Sequence, residues 1–208
     1  MKRLRTFVRD DQGATAAEFA MVLPLVILLL FAIIDVGRFA WAVNRAEKAT
    51  QVGARWAAVT DLVPSGLATY SFAASGGIPQ GTPVPVTAFP GLSCQSNGSA
   101  VSCACAAGGS CAFATTANAT TFRAIAARMK TIKPDIGEVN VVVNYRNSGL
   151  GYAGDPSGPD VAPIINVRLQ GMTFRPLSLL VFGVDHLDLP TFSYSLTMED
   201  GQGTVGYY

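Results

Sequence analysis

The chain has 208 residues, of which 50% are hydrophobic and 14% are charged, and its formal net charge is +1. This balance gives no global field that would attract nucleic acid or a polyanionic substrate, so we expect neither as a partner. The length allows one membrane segment and one globular domain with its own core. The low charge content, with apolar residues concentrated near the N-terminus, indicates that lipid surrounds part of the chain.

The N-terminus is basic. Lys2, Arg3, Arg5 and Arg9 lie within its first nine residues. The positive-inside bias places this end in the cytoplasm and the remainder of the chain on the other side of the membrane. We interpret residues 1–13 as a cytoplasmic leader.

An apolar segment follows the leader. No charged residue occurs between Phe19 and Ile34, and Glu18 and Asp35 flank this run. With its small neighbours the run is long enough to cross ~30 Å of hydrocarbon as a helix. Pro24 removes one helix hydrogen bond, so we expect a bend near residues 20–24.

Helical periodicity continues beyond the apolar segment, which predicts a single helix over residues 14–62, transmembrane first and then amphipathic. It should end before Pro64. We interpret Phe39, Trp41 and Trp56 as interface anchors and packing residues. The apolar face contains Val36, Phe39, Val43, Ala46, Ala49, Gly53, Trp56 and Val59, and the opposite face contains Arg38, Arg45, Lys48 and Arg55.

A secretory signal peptide would also have a basic start, an apolar core and a small-x-small motif such as Ala40-Trp41-Ala42. Glu18 before the core, and Asp35 and Arg38 after it, argue against that interpretation. A periplasmic hydrolase or binding protein released by signal peptidase is therefore the weakest of the functional alternatives.

The string QGATAAEFAMVLPL at residues 12–25, followed by the apolar run and IDVGR at 34–38, resembles the N-terminal signature of TadE-like proteins. This family belongs to the tight-adherence branch of type IV pilus systems. The resemblance implies that a prepilin peptidase cuts after Gly13, so that the mature chain begins at Ala14 and has Glu18 at its fifth position. Tyrosine usually follows that glutamate in tight-adherence prepilins, whereas Phe19 stands here.

The resemblance implies a structural component of a pilus-assembly system, a minor pilin or pseudopilin, and not an enzyme. Its partners would be the bacterial inner membrane, prepilin peptidase, other pilins and the assembly platform, with Glu18 and Phe19 taking part in subunit assembly. A carboxylate near hydrocarbon needs a partner, and the free α-amino group of Ala14, or that of a neighbouring subunit, could pair with Glu18. A membrane-anchored periplasmic adaptor that keeps its leader is the alternative.

Four cysteines, Cys94, Cys103, Cys105 and Cys111, form a local cluster. Their even number favours two disulfides in an oxidising compartment, and three pairings are open, of which Cys103 with Cys105 is the least favourable. Their spacing does not match paired zinc ligands. Because residues 63–120 are rich in Gly, Pro, Ser and Thr, we expect mainly loops there, including a cysteine-bearing loop at 94–111.

Residues 63–208 are expected to form an α+β domain, pilin-like, with an antiparallel sheet packed on helix. An amphipathic pattern predicts a helix over Thr121–Lys133. Alternation predicts strands over Val139–Tyr145, Ile165–Leu169 and Phe192–Met198, and a bulge at Gly171. The run Leu177–Val184 is compatible with either a strand or a helix.

Residues typical of catalytic or cofactor chemistry are sparse. His186 is the only histidine, so no histidine metal site is expected. The glycines at 201, 203 and 206 match a dinucleotide fingerprint without a helix to follow it. Asp155 and Asp160 are interpreted as part of a solvated loop. We expect no cofactor, no metal and no small-molecule substrate.

Overall fold

The structure is a computed structural model that describes residues 12–106, 109–156 and 159–198, with side chains from Thr15 onward. Most of the predicted 1–13 leader therefore lies outside the described residues. The chain divides into two compact units. The helix unit contains the residues up to 42 together with 173–187, and the sheet unit contains residues 43–172 together with those from 188 onward.

The long helix α1 extends over Gln12–Ala58 and continues through Pro24. It ends four residues before the predicted boundary. The Thr60 hydroxyl donates to the Trp56 carbonyl at 3.0 Å just beyond the last turn. Leu62, which follows, is only 1% exposed. The helix thus ends early, and Leu62 is buried in the sheet unit instead of continuing the helix.

The main sheet has five antiparallel strands in the order β2-β1-β3-β4-β7. A separate two-stranded sheet pairs β5 with β6. The α+β architecture predicted from the sequence is confirmed. The strands are β1 Leu92–Ser96, β2 Val101–Cys105, β3 Val141–Arg146, β4 Ile164–Leu169, β5 Thr173–Phe174, β6 Leu187–Asp188 and β7 Phe192–Thr197.

Short helices complete the fold. They are α2 Ser65–Thr69, α3 Ala119–Lys130, and 3₁₀ turns at Glu138–Asn140 and Leu179–Phe182. Helix α3 begins earlier than the sequence predicts, because the Asn118 side chain accepts hydrogen bonds from the backbone N–H groups of Thr120 and Thr121 at 3.1 and 3.2 Å. It buries Phe122, Ile125, Ala126 and Met129 of the predicted apolar face and ends at Lys130, so Ile132 and the predicted end at Lys133 lie beyond it.

The expectation of a cysteine-bearing loop is wrong, because β1 and β2 form a hairpin in the main sheet. Residues 97–100 make the turn between them. Asn97 Oδ1 accepts from the backbone N–H of Ala100 at 2.8 Å, and Gly98 has a φ of 95°. Asn-Gly is a strong hairpin signal, and in this turn Gly98 takes the positive φ while the Asn97 side chain accepts from the backbone. Because the segment is rich in Gly and Ser, its composition predicted a loop in place of this hairpin.

Strand β4 and strand β7 lie where alternation predicts them, whereas β3 begins two residues late. The Glu138–Asn140 turn takes up the difference, and Val139 is 52% exposed. The bulge predicted at Gly171 is also wrong. Gly171 has a φ of 65°, and the chain leaves β4 there to enter the second sheet.

The inner face of the main sheet packs on α3 and on the last third of α1 within the sheet unit. Small residues of α1, such as Ala46, Ala49 and Ala54, are fully buried. A Cβ atom built on Gly53 would lie 2.7 Å from Met129 Cγ and 3.4 Å from Val167 Cγ1. The glycine thus allows α1 to approach α3 and β4 closely.

Polar side chains form a row across the outer face of the sheet, where Ser93, Asn144, Asn166 and Ser195 are paired in register on β1, β3, β4 and β7. Asn144 Nδ2 donates to Asn166 Oδ1 at 3.2 Å. Asn166 Nδ2 in turn donates to Ser195 Oγ at 2.8 Å. This row occupies the polar positions of the alternation from which the strands were predicted.

Candidate functional site

Within the described part of the chain, the first part of α1 is largely exposed. None of residues 15–34 is buried, and the side chains of Met21, Leu25 and Leu29 are 76%, 68% and 61% exposed. Among the described residues, α1 is the one helix long and apolar enough to cross a membrane, judged by length and composition. An apolar surface of this extent requires lipid or neighbouring helices around it.

The four residues predicted for processing and assembly lie in the first turns of α1. Gly13 and Ala14 have helical backbone. Glu18 is exposed, and Phe19 is 66% exposed. Because residues four apart share one helix face, Glu18 lies about 6 Å along the axis from Ala14 and on the same side. A free amino group at Ala14 would therefore lie within one turn of the Glu18 carboxylate.

Asp35 ends the apolar run and is only 6% exposed. Its Oδ2 atom accepts from the Ser178 backbone N–H at 2.7 Å and from the Ser178 hydroxyl at 2.8 Å. Its Oδ1 atom lies 2.8 Å from Arg38 Nη1. Asp35 thus fastens the 173–187 segment to α1 within the helix unit.

The partner of Asp35 was not predicted from the sequence. The sequence showed only that an acidic residue directly follows an uncharged run and that Arg38 lies one helical turn later. Ser178 is 143 positions away in the chain, so no local pattern connects the two residues.

The cysteines lie in the sheet unit. Cys94 is bonded to Cys103 and Cys105 to Cys111, with Cα–Cα distances of 4.0 and 6.0 Å. Cys94 and Cys103 are direct register partners on β1 and β2. This is one of the three pairings that the sequence leaves open, and Cys103 is not bonded to Cys105.

The outer face of the sheet carries a shallow depression of ≈ 460 Å³, with Asn144, Asn166 and Arg168 among its lining residues.

Within the described parts of the chain, no three metal-ligating side chains come together. His186 is exposed, and its hydrogen bond to Asp185, at 2.6 Å, lowers the pKa of that carboxyl.

Asp160 lies in the loop between β3 and β4, but it is buried and not solvated as predicted. It is 5% exposed, and its carboxylate accepts from the backbone N–H of Phe72 at 2.6 Å and that of Asp155 at 3.1 Å. Two backbone donors satisfy this buried charge, so its role is structural.

Residues 13–55 match the family model described as TadE-like protein. The match begins at Gly13 and covers the apolar part of α1 together with most of its sheet-unit part. No curated protein and no solved structure matches the chain. The TadE-like match supports a component related to tight-adherence pili. Residues 13–55, which contain the predicted cleavage and assembly residues, are similar to the TadE-like family.

Proposed function

We propose that the protein is a minor pilin or pseudopilin of a bacterial tight-adherence pilus system, anchored in the inner membrane by the apolar part of α1. One observation carries the proposal. The TadE-like match over residues 13–55 coincides with a helix in which residues 15–34 have no protein cover. The same residues can therefore face lipid in a waiting subunit and sister helices in an assembled one.

Processing by a prepilin peptidase is the first step of this proposal. Cleavage between Gly13 and Ala14 would remove the basic leader and leave a charged α-amino group at the start of the apolar helix. That group would stand one helical turn from Glu18, on the same face. Cleavage therefore creates a cation where the helix already carries an anion.

Pairing of these two charges supports assembly over storage in the membrane. A carboxylate beside hydrocarbon is costly unless a partner neutralises it. In a single subunit Glu18 is exposed, so lipid headgroups and water have to solvate it. Side-by-side helices would bring the α-amino group of one subunit to the Glu18 carboxylate of the next. The gain favours the packed state and also fixes the axial stagger between subunits.

The sheet unit would lie on the periplasmic side and be presented by the pilus machinery. Two disulfides within it suit an oxidising compartment. Its buried core includes Leu62, Phe122, Tyr145 and Ile165, so it has the means to remain folded whatever surrounds the apolar helix. In the proposal the partners are the peptidase, other pilins and the assembly platform.

The mass and N-terminal sequence of the protein extracted from its native membrane test the proposal. We expect the chain to begin Ala-Thr-Ala-Ala-Glu. Gly13→Leu should accumulate as the full-length form, because a bulky side chain would block the peptidase. Gly37→Leu is the matched control, since a Cβ at Gly37 meets nothing within 4 Å, and it should be processed normally.

The same measurement separates the competing functions. Retention of residues 1–13 in the wild type would refute the processed pilin and favour a membrane-anchored adaptor. Loss of all residues through about Ala42 would instead indicate an ordinary signal peptide. Equal processing of Gly13→Leu and wild type would contradict the assigned cleavage site.

A further inference from the structure

The segment from Leu177 to Val184 exposes an apolar patch. Leu180, Val181 and Phe182 are 61%, 69% and 70% exposed, and they belong to the 3₁₀ turn Leu179–Phe182. Three consecutive apolar side chains on a loop tip are unfavourable in water and normally indicate a binding surface. This patch lies in the helix unit with the apolar part of α1.

Contacts with α1 fix the direction in which the segment runs. Phe174 packs edge-to-face on Phe39, with ring centroids 5.5 Å apart. Four residues later, Ser178 is bonded to Asp35. Residues 39 and 35 of α1 are about 6 Å apart along the helix axis. The chain therefore runs from β5 toward the N-terminal, apolar part of α1. The exposed turn follows directly after Ser178.

The exposed turn reaches the level at which the apolar run of α1 ends. Ile33 and Ile34, next to Asp35, are themselves 61% and 49% exposed. Because Ser178 is bonded to Asp35 and Leu180 follows two residues later, the patch begins close to the point where the apolar run ends. Beyond Asp35, Val36 is still 70% exposed, and the exposed residues then include Arg38, Trp41 and Arg175. Cationic and tryptophan side chains are typical of the headgroup region.

Two backbone hydrogen bonds close the turn. Gly183 N–H donates to the Leu180 carbonyl and Val184 N–H to the Leu179 carbonyl, each at 3.1 Å. Gly183 closes the turn with a φ of 79°. Because lipid-exposed non-helical backbone is unfavourable within the hydrocarbon, the apolar side chains of the turn would enter it while the backbone stays at the interface. The Asp35 carboxylate, at the same level, is satisfied by Ser178 and Arg38.

We propose that Leu180, Val181 and Phe182 enter the outer leaflet of the membrane beside α1. The loop then forms a second lipid contact that sets the depth and rotation of the helix, with Asp35 and Ser178 holding it in place. The inference rests on the proposed membrane-spanning role of α1. Lipid is favoured over a second copy of the chain because the loop descends to the level at which the apolar run would meet the membrane surface.

Tryptophan fluorescence in vesicles of brominated phosphatidylglycerol and phosphatidylethanolamine tests this contact. The full chain would carry Trp41→Phe and Trp56→Phe, so that one introduced tryptophan reports alone. The reporters are Ile33→Trp in the helix, Phe182→Trp at the loop tip and Thr173→Trp at the exposed base of the loop. Reconstitution at no more than one chain per vesicle keeps a second copy away.

We expect strong loss of fluorescence at positions 33 and 182, and weak loss at position 173. Bromines near the headgroup end of the acyl chain should quench position 182 more than deeper ones do. Quenching at 33 without quenching at 182 would overturn the loop inference and leave the membrane helix intact. Absence of quenching at 33 would overturn both, because the loop contact depends on the helix.

Photo-crosslinking from benzoylphenylalanine at position 182, in native membranes, gives an independent test. Lipid adducts would support the proposal. Adducts with a second copy of the chain or with a sister pilin, in place of lipid adducts, would identify the patch as a protein interface and overturn it.

Discussion

The two units of this protein obtain their stability from different sources. The sheet unit buries large side chains completely, including Phe122, Tyr145 and Ile165, and it contains both disulfides. The helix unit leaves residues 15–34 without cover. The first is stabilised by its own core, and the second depends on what surrounds it. Substitutions should therefore affect folding in one unit and insertion or assembly in the other.

Matched phenylalanine truncations should separate the two units most strongly. Phe122→Ala removes a fully buried ring from α3 and should lower the free energy of unfolding of the sheet unit by about 3–5 kcal/mol. Phe19→Ala removes a ring that is 66% exposed and should leave that stability unchanged. Denaturant unfolding in detergent, followed by tyrosine fluorescence, measures both. Equal destabilisation by the two variants would mean that the units do not fold independently.

A charge in the apolar run should act on insertion alone. Leu29→Arg places a cation at the middle of the run and should cost roughly 3 kcal/mol of membrane insertion on biological scales. Leu150→Arg, at a position that is 58% exposed in the sheet unit, is the control and should insert normally. Carbonate extraction of membranes reports the difference. Full retention of Leu29→Arg in the membrane would argue against α1 as the spanning segment.

The disulfides should stabilise the sheet unit by a smaller amount. Replacing Cys94 and Cys103 with alanine opens the crosslink between β1 and β2 and should cost about 2–3 kcal/mol in the loop-entropy account. The Cys105 and Cys111 pair encloses a shorter loop and should cost somewhat less. Denaturant unfolding of each double variant, with and without reductant, measures the change in the free energy of unfolding. Alkylation of denatured, unreduced protein from the native host should find no free thiol, and labelling would refute the oxidised state.

The buried hydroxyl of Tyr145 should contribute still less to the free energy of unfolding of the sheet unit. Tyr145 Oη accepts a hydrogen bond from the Val63 backbone N–H at 3.1 Å, and both residues are fully buried. Tyr145→Phe leaves that N–H without its partner and should cost about 1–2 kcal/mol. Tyr194→Phe, on the half-buried part of edge strand β7, is the control and should cost less.

Tyr145 also predicts a pH dependence. Burial raises the pKa of its phenol well above the ordinary value of 10.0. The folded state therefore keeps the proton that the unfolded state loses above that value. The contribution to stability is fully present below pH 10 and declines as the pH rises further. Tyr145→Phe should show a shallower alkaline decline than wild type, and identical slopes would exclude Tyr145 as the cause.

The smallest effect on stability, with a large effect on assembly, is expected for Glu18→Gln. The residue lies in the helix unit and is exposed, so the sheet unit should unfold as in wild type. Incorporation into pili should fall because the amide cannot pair with an α-amino group as a carboxylate does. The ratio of subunit in sheared pili to subunit in membranes measures this. An unchanged ratio would restrict Glu18 to an interfacial role.

Sequence periodicity predicted the elements that show it clearly. The apolar and amphipathic parts of α1, the buried face of α3, and strands β4 and β7 all follow regular spacing over several residues. The β1–β2 hairpin was missed because its strands contain Ser, Gln, Ala and Cys, which suggest a loop by composition. Only Asn97 and Gly98 marked the turn.

Long-range contacts explain the other differences. Asp35 and Ser178 meet because the chain returns to α1 after β5, which no local pattern specifies. Val139 was assigned to β3 from alternation, but the Asn140 side chain bonds to the Gln170 carbonyl at 3.0 Å and to the Gly137 N–H at 2.9 Å. These bonds hold a 3₁₀ turn where propensity favours a strand.

If the protein is the proposed pilus subunit, the crosslink between β1 and β2 affects how its copies behave when they are crowded in a membrane. Strand β2 is at an edge of the main sheet, and edge strands can pair with the sheets of other chains or exchange between them. The Cys94–Cys103 bond holds β2 in register with β1. The strand therefore cannot leave its sheet to enter that of a neighbour, and crowded subunits are protected from domain swapping at this edge.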